Sequence, residues 1–328
     1  MAIRGFQPGF SQTAGIGLKM YSDDELQRLH LATLDVLWHV GVKVQSEEAL
    51  QILDGGGCSI DKQTGLVRMP AHLVEESIRL VPPTFRACGR EKSKDFVCEQ
   101  DHVGFVNFGE APQMIDPHTR QLRKSLRQDV DQATRFLDAL DQIAVFERPL
   151  TPSDMNQQIS CLYNIKSYYE NCTKHGYIGI NSVENLQTCY QMGVAVAGSE
   201  ENFRARPNFS TTCDPISPLL HSKEACDIMI ESCRLGIPLK INAMGLAGGT
   251  TCVNLAGTLV THNAEILSMM VLGQLVRKGH PMVYGTSTGI MDLKTGLASI
   301  GCPELGLFSA AIAKLAQFYC MPTWVAGG

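Results

Sequence analysis

Apolar positions recur at helical spacing early in the chain: over residues 24–39, Leu26, Leu29, Leu34 and Leu37 share one face, acids open the segment and Gly41 follows it. A short apolar run at Val42–Val44, amphipathic stretches at 47–54 and 71–80 and a run at Thr84–Ala87 predict strand, helix, helix and strand. Val103–Phe108 and Gln113–Ile115 read as the two arms of a hairpin. These elements make a mixed α+β region over residues 1–125. From 127 the rhythm becomes regular, with helices expected at 127–140, 153–173, 183–197, 222–235, 251–278 and 303–319. Apolar strands separate them at Ala144–Glu147, Tyr177–Ile180, Asn208–Thr212, Leu239–Ala243, Met282–Gly285 and Thr323–Ala326. Buried strands alternating with long helices imply βα units and a parallel sheet covered on both faces.

The expected fold class is therefore α/β, with residues 126–328 forming the first part of a (β/α)8 TIM barrel. Six strands at about 30 residues per unit leave two strands of a barrel still to come. A doubly wound open sheet is the alternative, but it usually carries a glycine-rich first turn, and residues 148–153 contain no glycine. Every strand ends in small or polar residues: Glu147-Arg148, Asn181-Ser182, Thr211-Thr212, Asn242, Gly285-Thr286-Ser287 and Gly327-Gly328. Loops at strand C-termini carry function in such folds.

Composition narrows the class. The chain is 44% apolar and 19% charged, its net charge is −5, and no basic run exceeds two residues, so nucleic acid is not an expected partner. The most apolar stretch, 251–276, is interrupted by Asn254, Thr258, His262, Asn263 and Glu265, as in a core helix and unlike a membrane span. Twelve cysteines lie scattered from Cys58 to Cys320, a pattern of reduced buried thiols and a cytoplasmic location. Cys213, His221 and Cys226 follow one strand without the spacing of a zinc site, so no metal is expected.

Three segments share an Asp-x-x-Thr turn: Asp61–Gly65, Asp116–Arg120 and Asp292–Gly296. In each the aspartate is placed to accept bonds from the backbone ahead of it. Gly245–Thr250 offers amides after a strand, but it matches no nucleotide fingerprint and reads first as close packing. The stretch from Tyr284 to Gly301 is a glycine-hinged loop of the length that lids and binding loops have. Thr261–Glu265 puts imidazole, amide and carboxylate into an apolar helix, which reads as a buried polar network. Glu304, just after Pro303, is favoured in a helix first turn by the helix dipole.

Several phrases, in order along residues 20–328, resemble the trimethylamine methyltransferase family. They are His30…Leu37 with Gly41-Val42, Asp116 with Thr119, Ser217-Pro-Leu219, Asn263-Ala-Glu265 with Gln274-Leu275, Gly279–Gly285, Met291–Gly296 and Pro303-Glu304. Arg120 departs from the glycine usual in that turn, and Thr251-Cys-Val from a more usual Pro-Val-Thr. The resemblance implies a barrel enzyme that moves a methyl group from trimethylamine to the cobalt of a partner corrinoid (cobalamin) protein, in methylamine catabolism. Members lacking pyrrolysine act instead on quaternary amines such as glycine betaine. A non-catalytic truncated subunit is a third possibility. In the pyrrolysine members that residue follows a stretch like Trp324–Gly328, so the position after Gly328 is expected to be pyrrolysine, flanked by Gly327 and Gly328, with the chain itself ending inside the barrel. A chain so cut is expected to be inactive alone. Beside that position the resemblance and the strand ends together suggest Glu304 and Tyr284 as catalytic residues and Asn242 and Ser287 as substrate-binding residues, with no tightly bound cofactor and a homo-oligomeric assembly.

Overall fold

The computed structural model describes residues 10–11, 20–99 and 102–327. Three helices come first: α1 (Asp23–Asp35), α2 (Glu47–Gly55) and α3 (Ala71–Leu80). Then follow β1 (Phe105–Val106), α4 (Arg127–Ala139), β2 (Ile143–Glu147), α5 (Ser160–Asn171), β3 (His175–Ile178), α6 (Val183–Ala197), α7 (Glu200–Ala205) and β4 (Phe209–Cys213). The remainder is α8 (Lys223–Leu235), β5 (Leu239–Ala243), α9 (Leu255–Val276), β6 (Met282–Thr286), α10 (Pro303–Phe318) and β7 (Thr323–Val325). Packing divides the chain into two units that are discontinuous in sequence. One holds residues 1–13, 85–212 and 235–238; the other holds 14–84, 213–234 and 239–328. Pieces of the region before residue 125 fall in both.

The first unit is a parallel sheet in the order β1-β2-β3-β4. Phe105–Val106 enters that sheet beside β2, while Gln113–Ile115 pairs antiparallel with Leu122–Lys124. This corrects the expected hairpin. The Asp116 carboxylate accepts from the amides of His118 and Thr119 and turns the chain back one strand later than the apolar pattern suggested. Expected helix 153–173 begins only at Ser160, because Ser153 and Asp154 are taken by the start of α4. The Ser153 amide donates to the Ser125 carbonyl, and the Arg127 amide donates to the Asp154 carboxylate. At the other end of α4, the buried Lys174 ammonium donates to the Leu137 and Leu140 carbonyls, satisfying groups a helix C-terminus leaves open.

The second unit has the parallel order β5-β6-β7. Its core helix is α9, whose residues from His262 to Gln274 are all buried. α9 is the one helix among the described residues long and apolar enough to cross a membrane, and here it is wrapped by α1, α2, α3 and β5. The loop expected from Tyr284 to Gly301 is instead the end of β6 followed by a hairpin: Gly289–Asp292 pairs with Leu297–Ala298 around the Asp292–Gly296 turn and lies parallel to Leu246–Ala247. All three Asp-x-x-Thr turns close as anticipated, with the fifth residue at positive φ: Gly65 at 72°, Arg120 at 60° and Gly296 at 72°.

Candidate functional site

Strand alternation decides which side chains reach the face turned away from the helices. In β6, Tyr284 points toward the helices, where its hydroxyl donates to Asn263 Oδ1 at 2.7 Å. Asn263 in turn donates to Thr33 Oγ1 at 2.9 Å and to the Tyr319 hydroxyl at 2.8 Å, and Tyr319 is hydrogen-bonded with His30 Nδ1 at 3.0 Å. Tyr284 is 0% exposed. It is a core residue tying β6 to α1, α9 and the end of α10, which corrects its expected place on the substrate. The alternation that hides Tyr284 also turns Gly285 to the helix-free face, together with Lys240 and Asn242 of β5 and Trp324 of β7.

On that face the Lys240 ammonium lies 4.5 Å from the centre of the Trp324 ring, a cation–π pair. Gly285 leaves the room for it. A Cβ there would sit 2.7 Å from both Lys240 Cγ and the Ile241 carbonyl oxygen. Toward the strand ends, Asn242 Nδ2 donates to Ser287 Oγ at 3.3 Å, and Asn242 Oδ1 is enclosed with no partner among the described residues. The two expected substrate-binding residues are thus brought together. Ser287 is held by the bond from its amide to the Ala243 carbonyl and by its neighbour Thr288. The Thr288 hydroxyl meets the Gly245 amide at 3.2 Å, the Ala243 carbonyl at 3.3 Å and His262 Nδ1 at 2.9 Å. His262 Nε2 has no partner among the described residues, and burial pushes this imidazole down to about 3.

Glu304 sits half-buried in the first turn of α10, with no hydrogen bond or ion pair among the described residues. Its neighbour Leu305 packs where a Cβ on Gly289 would be 3.6 Å away. The acid therefore lies by the hairpin following Ser287, but the structure does not bring it into contact with Asn242 or Ser287. At the end of β7 the Ala326 carbonyl accepts from Ser309 Oγ, and Gly327 is exposed with open space about it. Gly328 lies outside the described residues. The Gly245–Thr250 amides are consumed locally. Those of Gly249, Thr250 and Thr251 all donate to the Leu246 carbonyl, which is the packing role and leaves no anion cradle. The Thr261–Glu265 segment is the buried network its residue types suggested. Glu265, the one acid among its members, accepts from the Ser217 hydroxyl at 2.8 Å and the Leu219 amide at 2.9 Å, while burial raises its carboxyl.

The first unit has its own strand-end cluster, which sequence reasoning passed over. The Asn107 side chain clamps the Glu147 peptide, accepting from its N–H at 2.9 Å and donating to its carbonyl at 2.7 Å. Arg148, 7% exposed, pairs with Glu110, whose backbone is left-handed at φ 67°. Cys161 on α5 feels that guanidinium. A hydrogen bond from Cys189, with a smaller contribution from Arg148, outweighs burial and draws its thiol below the usual range. The signal available in the sequence was the Glu147-Arg148 pair closing an otherwise apolar strand. Asn107 gave none.

The profile of the trimethylamine methyltransferase (MTTB) family matches residues 11–328. The chain is 44% identical over 322 residues, 98% of its length, to the trimethylamine methyltransferase MttB of Desulfitobacterium hafniense, covering 65% of that protein. Against the trimethylamine methyltransferase MttB of Methanosarcina thermophila it is 39% identical over its whole length, covering 69% of the relative. A glycine betaine methyltransferase of Desulfitobacterium hafniense is more distant, at 24% over 94% of this chain and 64% of that one. The chain spans about two thirds of the length of these curated relatives. Among solved structures it is similar to the Methanosarcina barkeri monomethylamine methyltransferase, with TM-score 0.51, 9% identity and coverage of 98% of this chain and 69% of that one. A hydroxylamine complex of the same kind of enzyme gives TM-score 0.52 at 9% identity, over 94% of this chain and 70% of that one. At that identity the likeness speaks for the fold alone: α/β, an incomplete barrel.

Proposed function

The chain belongs to the trimethylamine methyltransferase family, and on that premise we propose that it forms the substrate-binding part of an enzyme that demethylates trimethylamine, passing the methyl group to the cobalt of a partner corrinoid protein. The observation that carries this reading is the match of the family profile from residue 11 to 328. A neutral tertiary amine is a poor methyl donor, so its nitrogen must bear positive charge as the methyl leaves. The corrinoid supplies, on its own protein, the reduced cobalt that accepts the methyl.

Within this chain, Asn242 and Ser287 form a paired amide and hydroxyl at the ends of adjacent strands, where they orient the amine. Lys240 and Trp324 close the face below them. We place Glu304 as a candidate proton carrier at the rim, acting through solvent rather than by contact. Pyrrolysine is proposed for the position after Gly328. The open space around Gly327 and the tie from Ser309 to the Ala326 carbonyl fit a long side chain leaving the end of β7. The location is proposed to be cytoplasmic and the assembly homo-oligomeric.

The test is substrate choice. The protein from the full reading frame, mixed with reduced corrinoid protein, is offered trimethylamine, dimethylamine and glycine betaine in turn, and methyl-cobalt formation is followed by absorbance. Turnover of trimethylamine is expected. Turnover of glycine betaine alone would replace this reading with a quaternary-amine enzyme. Mass analysis of the peptide spanning Gly328 checks the pyrrolysine assignment separately.

A further inference from the structure

We infer that His262 is a positioning residue for the Asn242–Ser287 pair: with its proton on Nδ1, it fixes Thr288 and, through Thr288, the place of Ser287. The role rests on the amine-orienting reading proposed above. The Thr288 hydroxyl decides which ring nitrogen carries the proton, since it has one proton to give and can accept two bonds. The Gly245 amide, at 3.2 Å, can only donate to it, and the Ala243 carbonyl, at 3.3 Å, can only accept from it. His262 Nδ1, at 2.9 Å, is left to donate into the remaining lone pair. Nε2 then keeps a bare lone pair, with no partner among the described residues. The opposite tautomer would turn the hydroxyl's proton to Nδ1 and leave Nε2–H as a donor enclosed in the core. Folded proteins rarely leave a buried N–H unpaired, and tolerate an unpaired acceptor more often. Glu265, nearly one turn further along α9, is committed to Ser217 and Leu219.

The His262 ring is itself fixed. It is fully buried 5.5 Å from the ring of Tyr284, and Tyr284 is tied to α9 through Asn263. The turn it holds runs from Ser287 to Gly289. Two backbone bonds pin that turn to the end of β5: the Ser287 amide on the Ala243 carbonyl at 2.9 Å, and the Gly289 amide on the Gly245 carbonyl at 3.0 Å. Both join one strand end to the next. Of the bonds to Thr288, the one from His262 alone comes from a helix. The Thr288 side chain is thereby turned to α9, while its neighbour Ser287 meets Asn242 Nδ2 at 3.3 Å. That contact commits one end of the Asn242 amide and keeps Oδ1 as an acceptor, which has no partner among the described residues. Removing the donor at His262 frees the Thr288 hydroxyl to rotate. Ser287 loosens, and with it the direction in which Asn242 points.

The test uses the full-length protein. Nitrogen-15 spectra with labelled histidine show which ring nitrogen of His262 bears the proton, its signal being the one lost in His262→Asn. A proton on Nδ1 is expected, and a proton on Nε2 overturns the assignment. Affinity for trimethylammonium is then measured by titration calorimetry, and kcat/KM for trimethylamine by methyl-cobalt formation. His262→Asn, whose side-chain amide nitrogen stands where Nδ1 stood, should stay within about 3-fold of the parent in both. His262→Gln, whose nitrogen lies one atom further out, should lose about 10-fold in both, the scale of one lost hydrogen bond. In a Ser287→Ala background the same His262→Gln change should cost less than about 2-fold, because the contact it supports is already gone. A purely structural histidine would give equal losses in the two backgrounds, and that result overturns the proposal. If His262→Gln does not fold, Thr288→Val, of nearly the same shape as the parent residue, takes its place in the cycle with the same expectations. Trimethylammonium binding that follows this pattern, without methyl transfer from any amine, would sink the reaction proposed above and leave the positioning role standing. Methyl transfer from trimethylamine at full kcat/KM in His262→Gln would do the reverse.

Discussion

Asn263 is the residue whose removal tests most sharply whether Tyr284 belongs to the core. Its amide donates to Thr33 and Tyr319, and its carbonyl oxygen accepts from Tyr284, all three distances lying between 2.7 and 2.9 Å. Thr33 retains a bond to the Leu29 carbonyl and Tyr319 retains His30, so those two stay partnered if Asn263 is lost. Tyr284 does not, for its hydroxyl is fully buried against that one acceptor. Asn263→Leu keeps the volume but strands the Tyr284 O–H, at a cost of about 1–3 kcal/mol for an unsatisfied buried donor plus about 1 kcal/mol for the other lost bonds. Tyr284→Phe alone removes one bond and strands only a carbonyl oxygen, about 1–2 kcal/mol. In the double variant the stranded hydroxyl no longer exists. Its loss of stability should therefore fall short of the sum by about 1–2 kcal/mol. Urea unfolding of the four proteins, at matched m-values, measures the cycle. Additivity to within about 0.5 kcal/mol would mean that Tyr284 and Asn263 are not bonded as described, and the outward placement of Tyr284 would fall with it.

Gly285→Ala should destabilise by about 1–3 kcal/mol, because its Cβ meets the Ile241 carbonyl oxygen and the Lys240 stem, and a change in tryptophan emission against the parent protein would report displacement of Lys240 from Trp324. Arg120→Gly, relieving a left-handed φ of 60°, should stabilise by about 0.5–1 kcal/mol in thermal or urea unfolding. His175 and His221 are held down to about 4 and His262 to about 3, in each case by burial. The unfolded chain binds protons first, from about pH 6.5 downward, so these groups stabilise the fold above that pH. The stability is lost as pH falls from about 6.5 toward 4, at up to about 1.4 kcal/mol per pH unit per histidine. Replacing His262 by Asn should shallow that slope in a pH series of urea midpoints, and an unchanged slope would contradict its burial as a neutral ring.

The α/β rhythm was legible because apolar runs of 4–5 residues such as Leu239–Ala243 carry their own boundaries: strand β5 falls where the pattern put it. The strand within Val103–Phe108 was legible but its pairing was not, since nothing in so short a run names a partner that lies nearly 40 residues away in sequence. Asn242 and Ser287 were found because both mark strand ends, and the register of adjacent parallel strands then makes them meet. Tyr284 was misplaced for the complementary reason. Within a strand buried on both faces, composition does not say which residues look outward, and only the Asn263 contact settles it. Glu147 shows the same limit from the other side. Its acid was visible, but the clamp from Asn107 exists only once β1 lies beside β2.

The central claim is tested most directly by one labelled turnover. The full-length protein and reduced corrinoid protein are given trimethylamine carrying deuterated methyl groups, and mass spectrometry follows the label. The account predicts one deuterated methyl on cobalt for each dimethylamine released, with both products dependent on Asn242 and Ser287. Label remaining wholly in trimethylamine, while glycine betaine yields methyl-cobalt under the same conditions, would contradict it.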